Sequence, residues 1–300
     1  MGHIIQSEME DWSNVSDSRS HRIMTQYAFW GRLAYTVQIT AALLITIQTT
    51  ISQPPTFTTE IIGNNSSSPR NIMMGPSCWI PDTTPISLYL LHYFLIFLSF
   101  PTAAIIYPGS DAFMFSTALH LCGQFEILTQ SLESVTDNDS YLNQKRCIKK
   151  YSKRHNELLM LGKELNELFS LIIFSELFCN GVLICLSGIA LFARIKSGKV
   201  DNDDINYGLR IYIWYCELFM YSFVGEKLAS HAENLHRTIY TCPWYNMSVD
   251  IAKDVKFIMM RNNFFCYLTA GGVFVMNHEA FKKISKIMFS CFSVLKLVLD

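Results

Sequence analysis

Charge disappears from this chain for long stretches, and that limits the fold more than any motif does. No Asp, Glu, Lys or Arg lies between Arg32 and Glu60, or between Asp82 and Asp111. An α-helix needs about 20 predominantly apolar residues to cross the hydrocarbon of a bilayer. Leu33 to Ile51 and Ile86 to Tyr107 meet that requirement. Phe169 to Phe192, with Glu176 inside it, reads as a third span, and Tyr207 to Val224, with Glu217 inside it, as a fourth. Phe281 to Leu299 reads as the last. Half of the residues are apolar and the mean hydropathy is positive, unlike an average soluble domain. The expected fold is therefore all-α: a polytopic transmembrane helical bundle of about five spans.

The segments between the spans differ in kind. Gln53 to Thr84 is rich in Pro, Asn, Ser and Gly and reads as an irregular loop. From Asp111 to Glu133 the apolar residues Phe115, Leu119, Cys122, Phe125, Leu128 and Leu132 recur at three- and four-residue steps, the signature of a helix with one packed face. A second amphipathic run carries Leu158, Leu161, Leu165 and Leu168. Phe264 to Met276 is apolar but short for a span, and Gly271-Gly272 disfavours a continuous helix, so it reads as a broken or re-entrant approach to the last span. Pro101 predicts a kink in the second span, tolerable where neighbours satisfy the freed carbonyl.

Lys and Arg counts in the loops set orientation. The loop after the first span carries Arg70 alone, whereas 134–168 carries Lys145, Arg146, Lys149, Lys150, Lys153, Arg154 and Lys163. The segment after the fourth span carries Lys227, Arg237, Lys253, Lys256 and Arg261. This predicts a cytoplasmic N-terminal segment 1–32 and membrane spans in 33–107 with an extracellular loop 52–85. A cytoplasmic helical extension 108–168 precedes further spans in 169–224. A cytoplasmic anchor 225–280 then leads to a last helix 281–300 that ends outside the cell. The first 22 residues hold Glu8, Glu10 and Asp11 and no apolar run, so no cleavable signal peptide is expected. Gln6 stands where N-myristoylation wants Ser or Thr.

Several chemistries find no support. A net charge of −1 argues against nucleic acid as a partner. The nine cysteines form no C-x-x-C pair, and those in apolar runs read as small buried hydrophobes. His278-Glu279 opens like a zinc-protease motif, but Lys282 occupies the second histidine position. No phosphate-binding glycine loop and no recognisable Ser, His and Asp set is present, so neither an enzyme nor a cofactor or metal is expected. Paired broken helices repeated in two halves, the mark of many secondary transporters, are missing too. Glu176 and Glu217 lie at membrane depth, where an acid is costly unless it is paired or faces water. They read either as functional groups or as interhelical hydrogen-bond partners.

Aromatic residues form the remaining pattern. Tyr89, Tyr93 and Phe94 lie in the outer half of the second span, and Tyr212 and Tyr215 in the outer half of the fourth. Spacings of three and four put residues on shared helix faces. A mostly apolar pocket with a few hydroxyls suits a small volatile molecule. A belt of Tyr and Trp at the membrane interface explains the same residues.

The order of the motifs resembles a known family. Gly225-Glu226-Lys227-Leu228, Tyr240-Thr241-Cys242-Pro243-Trp244-Tyr245, Gly271-Gly272 and Glu279-Ala280-Phe281-Lys282-Lys283-Ile284 follow the C-terminal signature of the insect odorant receptors. Tyr151-Ser152-Lys153-Arg154-His155-Asn156 is similar to their loop between the fourth and fifth spans, and Asp11-Trp12 with Gly31-Arg32 to the approach to their third. The resemblance implies a seven-span ligand-gated cation channel subunit with two further spans upstream of this start. It also implies a heterotetramer with an odorant co-receptor subunit, a volatile organic ligand held among the aromatic residues above, and a plasma-membrane location. A truncated non-conducting member, or an assembly partner without odorant response, is the alternative. In the last helix, Val294 and Val298 fall where the family places apolar residues at the narrowest part of the pore, and Cys291 stands where many members carry Tyr. Four-residue spacing stacks the two valines on one face. A ring of valines closes a pore by excluding water, whereas lipid-facing valines would affect folding alone.

The charge count places the sequons at Asn64 and Asn65 outside, and those at Asn14, Asn138 and Asn246 inside. Glycosidase treatment of the expressed protein is expected to remove sugar from Asn64 or Asn65 alone. Sugar on Asn138 would invert the topology.

Overall fold

The computed structural model describes residues 1–15, 17–52, 85–134, 140–196, 198, 202–261 and 266–299. Asn64, Asn65 and Asn138 lie outside the described residues. Helices dominate: α1 Gly2–Asn14, α2 Ser18–Ser52, α3 Ile86–Glu133, α4 Tyr141–Lys196, α5 Asn202–Thr241, α6 Val249–Arg261 and α7 His278–Leu299. A 3-10 turn, Trp244–Asn246, joins α5 to α6. Two compact units are formed, Arg32–Phe113 and Met1–Gly31 with Met114–Asp300.

In the Arg32–Phe113 unit, apolar side chains such as Val37, Leu44, Ile47, Leu95 and Ile106 stand exposed, as lipid-facing residues do. The threonines of α2 keep their hydroxyls within the helix: Thr40 donates to the Thr36 carbonyl, Thr46 to that of Ala42 and Thr50 to that of Thr46, each at 2.8 Å. Such back-bonding hides a polar group where no water can serve it. α3 continues through Pro101 and Pro108. Around Pro101, whose missing N–H leaves a carbonyl unpaired, Ser99 and Thr102 hydroxyls bond to neighbouring carbonyls of the same turns.

In the other unit, the amphipathic reading of α3 holds in full: Phe115, Leu119, Cys122, Phe125, Leu128 and Leu132 are all buried. α4 buries Gln144, Ile148, Tyr151, His155, Leu158, Leu161, Gly162, Leu165, Phe169, Ile173, Glu176 and Asn180. These positions recur at helical spacing, so one stripe runs from the water-exposed part of the helix into its apolar part. Leu168 falls beside that stripe and is 42% exposed, contrary to the sequence reading. Phe169 takes its place inside.

Among the described residues, three helices, α2, α3 and α4, are long and apolar enough to cross a membrane. α5 and α7 occupy the expected fourth and fifth spans but are more polar. Arg210 and Glu217 interrupt α5, and Lys282, Lys283, Lys286 and Lys296 interrupt α7.

The largest departure lies before α7. Thr269–Ala270 (β1) and Phe274–Val275 (β2) pair antiparallel, Thr269 with Val275 and Ala270 with Phe274, so the expected re-entrant segment is a minimal β-hairpin. Gly271 and Gly272 turn it with φ of 61° and 69°, a region that costs a residue with a Cβ. The hairpin hooks onto α4. The Thr269 N–H donates to the Asn166 side-chain oxygen at 2.7 Å, the Gly271 N–H to the Ser170 carbonyl at 2.8 Å, and the Gly272 N–H to Ser170 Oγ at 3.0 Å. On α5, Gly225 admits the chain just beyond the hairpin, because a Cβ there would lie 2.2 Å from the Met276 carbonyl oxygen. Asn277 Oδ1 then caps α7 by accepting the Ala280 N–H at 2.7 Å, and Glu226 accepts the His278 N–H at 3.3 Å.

Gly225→Ala is expected to destabilise the protein by about 1–3 kcal/mol, the usual cost of overpacking against an unyielding neighbour. Gly208→Ala on the same helix, where a Cβ meets nothing within 4 Å, is the control. Thermal unfolding in detergent reads the difference, and equal midpoints would remove the clamp.

Candidate functional site

The expected ligand residues fall into two groups. On α3, Tyr89 is buried, 1% exposed, with its ring centroid 6.4 Å from that of Tyr93, whereas Phe94 is 55% exposed. On α5, Tyr212 is 65% exposed, but Tyr215 turns inward. Its hydroxyl donates to Ser285 Oγ on α7 at 2.8 Å, and its ring lies 5.2 Å from that of Phe281. The α3 group belongs to the Arg32–Phe113 unit and the α5 group to the other. A cavity of about 500 Å³ along α1, lined by Gly2, Ile5, Gln6, Met9, Glu10 and Ser13, includes none of them.

α7 is seated by apolar and polar contacts in succession. Phe219 of α5 lies 5.6 Å from the Phe281 ring and 6.4 Å from the His278 ring. Small residues of α4 then let the helices approach: Met288 reaches to 3.4 Å of a Cβ built on Gly181, and Phe292 to 3.1 Å of one on Gly188. On the far side of α7, Lys283, Ile287, Ser290 and Val294 are exposed at helical spacing, Val294 by 59%. Val298 lies in the last turn of α7, and its side chain is outside the described residues.

Both membrane-depth acids have interhelical partners. Tyr221 of α5 donates to Glu176 of α4, and Asn180 of α4 donates to Glu217 of α5 at 3.0 Å. Each helix thus supplies one buried acid and one donor, which is the cross-helix pairing that makes such residues tolerable in lipid.

Two polar clusters escaped the sequence reading. Asp11 of α1 receives Arg154 of α4 and His120 of α3, the latter at 3.1 Å, while Arg154 also donates to Gln124 at 3.1 Å. Tyr27 of α2 sits between α3 and α5. It donates to Glu126 at 2.8 Å and lies 2.9 Å from His231 Nε2, with its ring on Gly123. Because the single hydroxyl proton points at Glu126, His231 donates from Nε2–H to the Tyr27 oxygen. Partners 99 and 204 residues apart leave no local pattern to read. His155, which sequence placed in a basic loop, is a buried helix residue stacked on Tyr151 at 5.7 Å.

Comparison with known proteins now bears on these features. The family model described as 7tm Odorant receptor matches residues 1–289. This chain belongs to that family. It is 22% identical to Odorant receptor 49a of Drosophila melanogaster over 71% of this chain and 53% of that protein. It is also 22% identical to Odorant receptor 10 of Aedes albopictus, over 70% and 55%. It therefore spans about half the length of the curated relatives it matches. The olfactory receptor OR5 of Machilis hrabei, solved in complex with eugenol, superposes with a TM-score of 0.64 at 12% identity, covering 99% of this chain and 70% of that one. That likeness establishes the fold. The family recognised from the order of weak motifs is thus the one the whole chain fits, and it is a receptor family of membrane proteins, not an enzyme family.

In this odorant-receptor chain the Tyr27 cluster carries a pH dependence. Burial holds the His231 pKa below the ordinary 6.5, with Glu126 opposing and Lys227 adding to the effect. The unfolded chain then binds the proton more readily, so this contribution to stability is present above 6.5 and is lost as pH falls below it. Acidification through that window is expected to lower the unfolding temperature of the wild type more than that of His231→Gln. Matching slopes would exclude His231 from the effect.

Proposed function

We propose that the chain is an odorant receptor subunit that binds a small volatile organic ligand and, in a heterotetramer with a co-receptor subunit, gates a non-selective cation channel in the plasma membrane. The observation that carries this reading is the family match over residues 1–289. In this reading 1–32, 108–168 and 225–280 are cytoplasmic, the spans lie in 33–107 and 169–224, and 281–300 lines the pore and ends outside.

In this reading Tyr89, Tyr93 and Phe94 are ligand contacts offered by one unit and Tyr212 one offered by the other, each taken by itself. Tyr215 keeps its ring for the ligand, while its hydroxyl ties α5 to α7 through Ser285. A ligand that displaces the ring loosens that tie and so favours movement of the last helix. The exposed stripe of Lys283, Ile287, Ser290 and Val294 gives α7 a face free to line a pore once its other face is spent on Gly181 and Gly188. Val294 and Val298 form the apolar closure.

Two variants test this by current recording from cells that also express a co-receptor. Tyr215→Phe removes one interhelical hydrogen bond worth about 1 kcal/mol, so a shift of about fivefold in the open–closed ratio is expected. Val294→Ser is expected to raise resting conductance by wetting the closure. Unchanged currents at normal surface levels would take both residues out of gating. Surface expression with no ligand-evoked current from any form would favour an assembly partner instead.

A further inference from the structure

The first turns of α4 are charged in a way a solvated helix avoids. Arg146, Lys149, Lys150 and Lys153 stand at i, i+3, i+4 and i+7, which puts them in one ridge, and all four are exposed. Further along the same helix the cations are matched: Lys153 with Glu157 at 3.8 Å, Lys163 with Glu167 at 3.6 Å, and Arg154 with Asp11 and Glu157. Among the described residues, Arg146, Lys149 and Lys150 make no ion pair. Arg146 with Lys150, and Lys149 with Lys153, are like charges at i, i+4 and repel. The ridge begins in the second turn of α4, and α4 has no acid in its first turn. Cytoplasmic retention of a loop needs cations in number, not three cations sharing one face with no carboxylate paired to them.

The shape of the ridge limits what can occupy it. Its opposite face, Gln144, Ile148, Tyr151 and His155, is buried, so a partner that wraps an amphipathic helix has nothing to wrap. A bilayer is out of reach. Lys153 lies 16 residues before Phe169, about 24 Å at the helical rise, and Arg146 about 35 Å. A tilt of about 40° still leaves about 18 Å, against a screening length of about 8 Å. The four cations spread along about 10 Å of a convex surface with no concavity to enclose a compact phosphate. Lys145, at the near end, donates to the Tyr141 hydroxyl at 3.1 Å and lies in the field of Asp250 and Asp254 of α6, which would repel a long polyanion. A short row of carboxylates fits what remains.

We propose that the Arg146–Lys149–Lys150–Lys153 ridge docks a short acidic segment of a cytosolic protein. This rests on the cytoplasmic placement of 108–168. The probe is a fluorescent helical peptide with Glu at i, i+3, i+4 and i+7, titrated by anisotropy onto the full chain in phosphatidylcholine nanodiscs. Saturable binding that weakens with salt is expected, with Lys149→Glu/Lys150→Glu losing roughly tenfold in affinity and Lys163→Glu losing none. Lys149→Gln/Lys150→Gln gives a milder version that guards against misfolding of the reversal. No binding at physiological salt, or equal binding by both double variants and wild type, overturns the proposal. So does a result in which inositol hexakisphosphate or phosphatidylserine vesicles bind through the same residues while the peptide does not. Labelling of Lys149→Cys by an impermeant reagent from outside cells would instead sink the cytoplasmic placement, leaving the peptide titration untouched.

Discussion

One helix has to satisfy two solvents, and the rest of the larger unit depends on how it does so. α4 is 56 residues long, about 84 Å at the helical rise. α4 meets α5, α6, α7, β1 and α1. In the water-exposed part the stripe is Leu158, Leu161 and Leu165, where burial of each leucine contributes about 1.5–3 kcal/mol. In the apolar part that driving force is gone, since lipid is as apolar as leucine. There the stripe continues as Glu176 and Asn180, which bond to α5, while Gly181 and Gly188 on an adjoining face let α7 come close. The buried positions thus change along α4 from leucines to hydrogen-bonding residues.

The hairpin depends on that helix as well. Two strands of two residues have no independent stability. Asn166 and Ser170 hold them by supplying acceptors to the N–H groups of Thr269, Gly271 and Gly272, so the sheet is completed by a helix rather than by more strands. Cys266 enters this fixed segment against Gly162, where burial pushes its thiol up to about 12 and leaves it unreactive.

Much of this was legible because it is local. The uncharged runs became α2 and α3, and the spacing of Phe115 through Leu132 predicted the packed face residue by residue. What failed depends on partners distant in sequence. Gly271-Gly272 announced a break but not a hairpin, because the acceptors that select it lie about a hundred residues earlier on α4. Tyr212 and Tyr215 are three residues apart and read alike, yet one is exposed and the other bonds to Ser285, since the register of α7 against α5 decides between them. The spans were found from length and charge, while α5 and α7 carry more charge than a helix facing lipid all round. α5 places Glu217 against Asn180, and α7 stacks Lys296 4.6 Å from the Phe192 ring, as helices that face protein on one side can do.

The two ends of α7 are held very differently. Its foot is fixed by the Asn277 cap, the Glu226 carboxylate, the Gly225 contact and the hooked hairpin, which are directional or steric restraints. Above Ser285 the contacts of Met288 and Phe292 on glycines are apolar and tolerate sliding. A helix restrained in this way would pivot about its foot, with a displacement that grows with height. Ser285 lies just over two turns above the cap, whereas Val294 lies nearly five. In the proposed reading, a small change at the Tyr215–Ser285 contact would therefore be magnified at Val294, so a pore closed there would need little work at the level where α5 touches α7.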